Sequence, residues 1–197
     1  MQEQRSDGWY SARLGLVTGS RVADVLTGTA EKRKAYMMQL AAERLTGVPQ
    51  DNIYITAAMQ RGIDLEDTAR MLFSLETEIG ISETGFWIDE ELKGWGASPD
   101  GITSDGGIIE IKCPNTITHL GYYKDKKLPA KYKPQVMCQL AITGREHAYF
   151  CSYDDRLPEH LQLFFCRVER DEDYIAVMRK KVEVFLNELE DLVCELL

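Results

Sequence analysis

The segment SPDGITSDGGIIEIKCP, residues 98–114, constrains this chain more than any other. Pro99-Asp100-Gly101 leads into the turn-forming run Ser104-Asp105-Gly106-Gly107, and Ile108-Ile109-Glu110-Ile111-Lys112 follows. A run rich in β-branched residues after a Ser/Asp/Gly cluster reads as the second strand of a hairpin. Side chains alternate along a strand, so Glu110 and Lys112 share one face while Ile109 and Ile111 enter the core. The hairpin returns Asp100 beside Glu110. Hard cations such as Mg²⁺ take one or two carboxylates together with water and substrate phosphate. A cation held here would polarise a phosphodiester, and a second would stabilise the leaving oxygen. Lys112 would orient the water, stabilise charge or act as base, with its pKa lowered by the like charge of a neighbouring cation. A bare Glu-x-Lys is common on surfaces. Its combination with Pro-Asp, a turn and an apolar strand points to metal-dependent phosphodiester hydrolysis.

Composition narrows the classes. A chain of 197 residues with 44% hydrophobic content is most simply one domain, residues 1–197. It has no apolar run of about 18 residues, so no membrane helix is expected, and MQEQRSDGWY lacks the apolar stretch of a leader. Five cysteines (113, 138, 151, 166, 194) without a Cys-x-x-Cys pair read as reduced thiols, buried or half-buried, of a cytoplasmic protein. The three histidines lack ligand spacing. The net charge of −9 argues against a broad DNA-binding surface. It leaves room for a local track: YYKDKKLPAKYK, residues 122–133, carries Lys124, Lys126, Lys127, Lys131 and Lys133 with Tyr132 among them, a local +4 suited to backbone phosphates. From residue 182 onward only acidic charges occur, so that end should face away from DNA.

Periodicity places helices over 18–26, 31–46, 56–77 and 116–125, another beginning at Pro134, and a last one capped by Asp171. Strands are expected near 81–89, 94–99 and 107–112, then in HAYFCSYD and HLQLFFCRVER. The architecture is α/β, of the α+β type: helices flanking a central mixed sheet. Trp9 reads as a core anchor, and Ser98, beside the motif, as a possible phosphate donor. Met178, Val182, Phe185, Leu189, Leu192 and Leu196 form a narrow apolar seam on the last helix, expected to pack on the chain's own sheet or, failing that, on a partner.

Several segments in order carry a resemblance. WYSARLGLVTGSRV, RGIDLEDTAR, SPDGITSDGGIIEIKCP, YKPQVMCQLAITG and YFCSYD with VERDEDY resemble, over most of the chain, the phage lambda-type exonucleases. These are the YqaJ-like viral recombinase branch of the PD-(D/E)xK nucleases, whose core is restriction-endonuclease-like. The resemblance implies Asp100, Glu110 and the Ile111 carbonyl as metal ligands, with Glu66 near them and Lys112 as the catalytic lysine. Gln135 and Tyr132 fall on the Y-x-x-Q-x-Q helix, where Met137 replaces the second glutamine and Gln139, one turn after Gln135, is the candidate substitute. Arg13 and Ser20 match residues that bind a terminal 5′-phosphate; taken alone, Ser20 could equally be a helix cap. Met59 falls near a position that wedges the end base pair apart, against the plainer reading of a core methionine. The implied activity is Mg²⁺-dependent 5′→3′ digestion of one strand of linear duplex DNA, with two ions and Mn²⁺ as substitute. It releases 5′-mononucleotides and leaves a 3′ overhang for a single-strand annealing recombinase, and the implied assembly is a homotrimer. The alternatives are another PD-(D/E)xK endonuclease and a non-catalytic DNA-binding protein on the same fold.

Overall fold

The computed structural model describes residue 4 and residues 6–50 and 56–197. Part of the N-terminal stretch read above for a leader lies outside them. Ser6 caps the short helix α1 (Asp7–Arg13) by accepting from the Trp9 N–H. Strand β1 (Val17–Thr18) and helix α2 (Val22–Leu26) follow. Helix α3 (Ala30–Thr46) starts at the Thr29 cap and stops at Gly47 in the left-handed conformation. Helix α4 (Ala57–Thr77) is capped by Thr56. Next come β2 (Ile81–Ser82), β3 (Trp87–Ile88), β4 (Trp95–Ala97), β5 (Gly101–Thr103) and β6 (Ile108–Lys112). Helix α5 (Thr116–Asp125) and a 3₁₀ turn (Ala130–Tyr132) lead to α6 (Lys133–Thr143), which has proline in its first turn. The chain ends with β7 (His147–Tyr153), the single turn α7 (Glu159–Gln162), β8 (Leu163–Glu169) and α8 (Glu172–Leu196), whose cap Asp171 accepts from the Tyr174 N–H.

The main sheet has five strands in the order β2-β5-β6-β7-β8. It is mixed: β6 runs antiparallel to β5 and parallel to β7, with Glu110 opposite Phe150. A smaller sheet, β1-β4-β3, lies beside it. Helices cover both faces of the main sheet. On one side Ile108 joins Val136, Met137 and Leu140 of α6 and Met178, Val182, Phe185 and Leu189 of α8. On the other, Ile109 and Ile111 pack with Ala69 and Phe73 of α4. No helix among the described residues is long and apolar enough to cross a membrane.

Five expectations need correction. β6 is buried on both faces, because α6 covers the side that Glu110 occupies. The strand expected over 81–89 divides into β2 and β3, which join different sheets. The helix expected over 18–26 begins only at Val22, because Val17 and Thr18 pair in parallel with Trp95 and Gly96. The seam of α8 packs on α2, α3 and α6 in one core with Ile108 and Ala148 of the sheet, but its last member, Leu196, is left 53% exposed. Cys194 is exposed, where a buried or half-buried thiol was expected.

Candidate active site

Backbone pairing sets the first carboxylate. The Asp100 N–H donates to the Ile109 carbonyl (3.0 Å), and Asp100 Oδ2 accepts from the Ile111 N–H (2.7 Å). Asp100 is thereby fixed against the edge of β6, two residues from the Lys112 end.

Glu110 is 1% exposed and held by α6. Gln135 Nε2 donates to its Oε1 (2.6 Å) and Gln139 Nε2 to its Oε2 (2.5 Å). Lys112 Nζ pairs with Oε1 as well. Residues four apart share a helix face and residues two apart do not. Accordingly Gln139 reaches Glu110, while Met137, 1% exposed, turns into the core. Among the described residues, the buried Gln139 Oε1 has no hydrogen-bond partner.

Glu66 is buried at the side of this pair, not an exposed helical glutamate. Arg70, one turn along α4, donates to Glu66 Oε1 (2.9 Å) and to the Asp100 carbonyl (3.3 Å). Arg70 is a site neighbour that the reading of the sequence passed over; its i,i+4 spacing from Glu66 was the available signal.

Burial, and then the nearby Glu110 charge, raise the Asp100 carboxyl well above its ordinary pKa, against the pull of Lys112. Burial alone would lower Lys112, but Glu110 and Asp100 outweigh it and hold the ammonium above its usual pKa. The lowering expected from the sequence presupposes a cation beside the lysine. With carboxylates as the neighbours the direction reverses. Burial also pushes the adjacent Cys113 thiol up to about 12.

Two clefts meet at Asp100. One, of about 370 Å³, is lined by Met59, Glu66, Asp100, Ile111, Lys112 and Tyr132. The other, of about 170 Å³, is lined by Arg13, Ser20, Ser98, Asp100, Gln135 and Gln139 among others. The candidate phosphate residues, far apart in sequence, thus share a wall with the carboxylate edge. Met59 is 50% exposed, so it is not a core methionine. Arg13 lies over the Trp9 ring, 3.9 Å from its centroid, and Trp9 is nearly buried as the anchor reading requires. Ser20 is exposed, with its Oγ 3.3 Å from Thr18 Oγ1. It caps nothing: the residue before α2 is Arg21, which makes no side-chain cap. Ser98 is committed elsewhere, since its hydroxyl donates to the Gly85 carbonyl (3.2 Å) and accepts from Trp9 Nε1 (3.1 Å). It therefore braces Trp9 and has no proton left for a phosphate. Gln4, which belongs to no motif, also lines this cleft and donates to the Pro99 carbonyl (2.7 Å).

The lysine-rich segment spans the end of α5, the 3₁₀ turn and the start of α6, and its lysines take different partners. Lys131 lies over the Tyr132 ring (4.8 Å), beside the larger cleft. Lys126 sits on Tyr123 (3.4 Å), and Lys133 pairs with Asp171 (2.8 Å). Lys124 and Lys127 are exposed.

The donor set suits a hard cation: Asp100 and Ile111 line the larger cleft, and the buried Glu110 carboxylate adjoins Asp100, with water and phosphate to complete the shell. Among the described residues no third acidic, histidine or cysteine side chain joins them as a ready-made cluster.

Comparison with known proteins extends from the site to the whole chain. No curated protein matches it. A crystal structure of an alkaline exonuclease, LHK-Exo from Laribacter hongkongensis, is 46% identical, with a TM-score of 0.92, covering 97% of this chain and 96% of that one; the same figures hold for its complex with dAMP. A phage-related exonuclease from Haemophilus somnus 129PT, 15% identical with a TM-score of 0.74 over 92% of this chain and 96% of that one, shares the fold. The model of the YqaJ-like viral recombinase domain matches residues 8–146, a span that runs from α1 through Asp100, Glu110, Lys112 and both glutamines of α6. On that match, and on the identity to LHK-Exo, this chain belongs to the YqaJ-like viral recombinase family.

Proposed function

We propose that the chain is a Mg²⁺-dependent exonuclease that removes 5′-mononucleotides from linear duplex DNA in the 5′→3′ direction, leaving a 3′ overhang for strand-annealing recombination. The observation that carries this reading is Asp100 as the common wall of two clefts. A terminal phosphate held by Arg13 and Ser20 would lie at a fixed offset from the carboxylate edge, so the next phosphodiester is the one presented for hydrolysis. Arginine suits that pocket because its planar fork makes charge-assisted paired hydrogen bonds to phosphate. The similarity to LHK-Exo, described as an alkaline exonuclease and solved with dAMP, supports release of mononucleotides.

Asp100, Glu110 and the Ile111 carbonyl would hold the divalent ion, with Glu66 near it and Mn²⁺ as a substitute. A bound cation supplies Lewis-acid stabilisation of the phosphate charge. Gln135 and Gln139 fix the rotamer of Glu110, and Lys112 places a positive charge at the cleaved bond. Met59 and Tyr132, on the wall of the larger cleft, are positioned to meet the end base pair, and Lys131 the backbone. We further propose a homotrimer and a single-strand annealing partner, which would let an acidic chain confine favourable charge to an enclosed surface.

Linear 5′-phosphorylated duplex and covalently closed circles, each with Mg²⁺ or with EDTA, test the reading. Release of mononucleotides from the linear DNA alone, and only with Mg²⁺, is expected. Nicking of the circles would favour a restriction-like or structure-specific endonuclease. Binding without hydrolysis of either would favour a non-catalytic DNA-binding protein.

A further inference from the structure

Helix α3 grips the turn between Arg13, at the end of α1, and β1, which leads on to Ser20. The Gly15 N–H donates to Glu43 Oε2 (2.9 Å), and Arg44 Nε donates to the Gly15 carbonyl (3.0 Å). Both polar groups of one loop residue are thus taken by consecutive residues of α3. Gly15 has φ +68°, and a Cβ there would stand 2.7 Å from Arg44 Cγ, so the close approach requires glycine. Glu43 is 5% exposed, and its other oxygen accepts from Gln39 Nε2 (3.0 Å) and the Gln50 N–H (3.3 Å). Glu43 lines a depression of about 160 Å³ together with Arg13, Thr18 and Ser20. The three donors that hold this carboxylate are neutral and leave its charge in place, so what it contributes to a phosphate pocket is geometric, the fixing of Gly15. α3 is itself seated on α8 through Tyr36 stacked on Phe185 (5.9 Å) and Arg33 paired with Glu188 (2.7 Å). Arg44 reaches Glu190 (2.9 Å), so part of the acidic C-terminal face helps to steady the grip.

We infer that Glu43 is a positioning residue for recognition of the 5′-phosphorylated end: it fixes Gly15 and so places Arg13 and Ser20 without touching DNA. This rests on the reading of Arg13 and Ser20 as the end-phosphate pocket. Glu43→Gln keeps the size of the side chain but sets an amide NH₂ against the donors that converge there.

The test compares kcat and KM of the full chain with Mg²⁺ on matched duplexes bearing a 5′-phosphate or a 5′-hydroxyl. In Glu43→Gln the preference for the phosphorylated end should fall about tenfold, mainly through KM, with hydrolysis of the hydroxyl end changed by less than about twofold, as a small misplacement of binding groups implies. Arg33→Ala, which breaks a pair on the same helix, should lower thermal stability and leave the preference intact. If Glu43→Gln does not fold, Gly15→Ala gives the same readout. A preference that survives Glu43→Gln, or that falls in both variants in proportion to lost stability, overturns the inference alone. A wild type that degrades both ends equally overturns the phosphate-pocket reading and this inference with it.

Discussion

The β5–β6 hairpin and the lysine-rich segment 122–133 were read by the same logic of charge and spacing, and the fold treats them differently. Asp100 and Glu110 stay together because ladder hydrogen bonds fix one against the other. The lysines scatter: one to the rings beside the cleft, one onto Tyr123, one to the cap of α8. Spacing translates into geometry where the backbone is constrained by pairing; a run of charge across a helix end, a 3₁₀ turn and a new helix carries no such constraint.

The largest effects should come from the paired region. Glu110→Gln and Asp100→Asn preserve shape and should each slow hydrolysis by about 10³-fold, the equivalent of several kcal/mol of transition-state stabilisation, while thermal unfolding confirms a folded protein. Turnover near wild type in either variant would remove that carboxylate from the site. Gln139→Met leaves volume and takes away the donor to Glu110 Oε2; a loss of about 10- to 100-fold is expected, the usual scale for a residue that orients a ligand.

Met137→Gln restores the glutamine that the family pattern places there, yet it should cost about 1–3 kcal/mol in denaturant unfolding without raising activity, because the amide would enter a packed core. A more active variant would show that α6 can turn its other face to Glu110. The smallest effects belong to the lysines. Lys131→Ala should reduce the slope of log affinity against log salt by about 1 in a DNA titration. Lys133→Ala should leave that slope alone and cost at most about 1 kcal/mol through its half-exposed pair with Asp171. Equal slopes for the two variants would restore the single track.

What could be read in advance follows the same division. Caps and periodicity located α3, α4, α5 and α8 nearly to the residue, because Thr29, Thr56, Asn115 and Asp171 each satisfy a helix N-terminus locally. α1 was missed: it is seven residues long and is held by Trp9, whose partner Ser98 is distant in sequence. β1 looked like the start of a helix because its two residues are strand only through their pairing with β4. In the site, Asp100, Glu110 and Lys112 were legible from a local hairpin, and Arg13, Ser20 and Glu66 only through family resemblance. The commitment of Ser98 to Trp9 and Gly85 depends on tertiary contacts that no spacing encodes, whereas the hold of Arg70 on Glu66 is an i,i+4 pair within α4.

The central claim is that a terminal-phosphate pocket and a hydrolytic edge share Asp100, so cleavage falls one nucleotide from the end. The length of the first product from a 5′-phosphate-labelled linear duplex with Mg²⁺ tests it most directly. The account predicts labelled mononucleotide from the earliest time point, absent with Glu110→Gln. A first product that is a longer labelled oligonucleotide would contradict it.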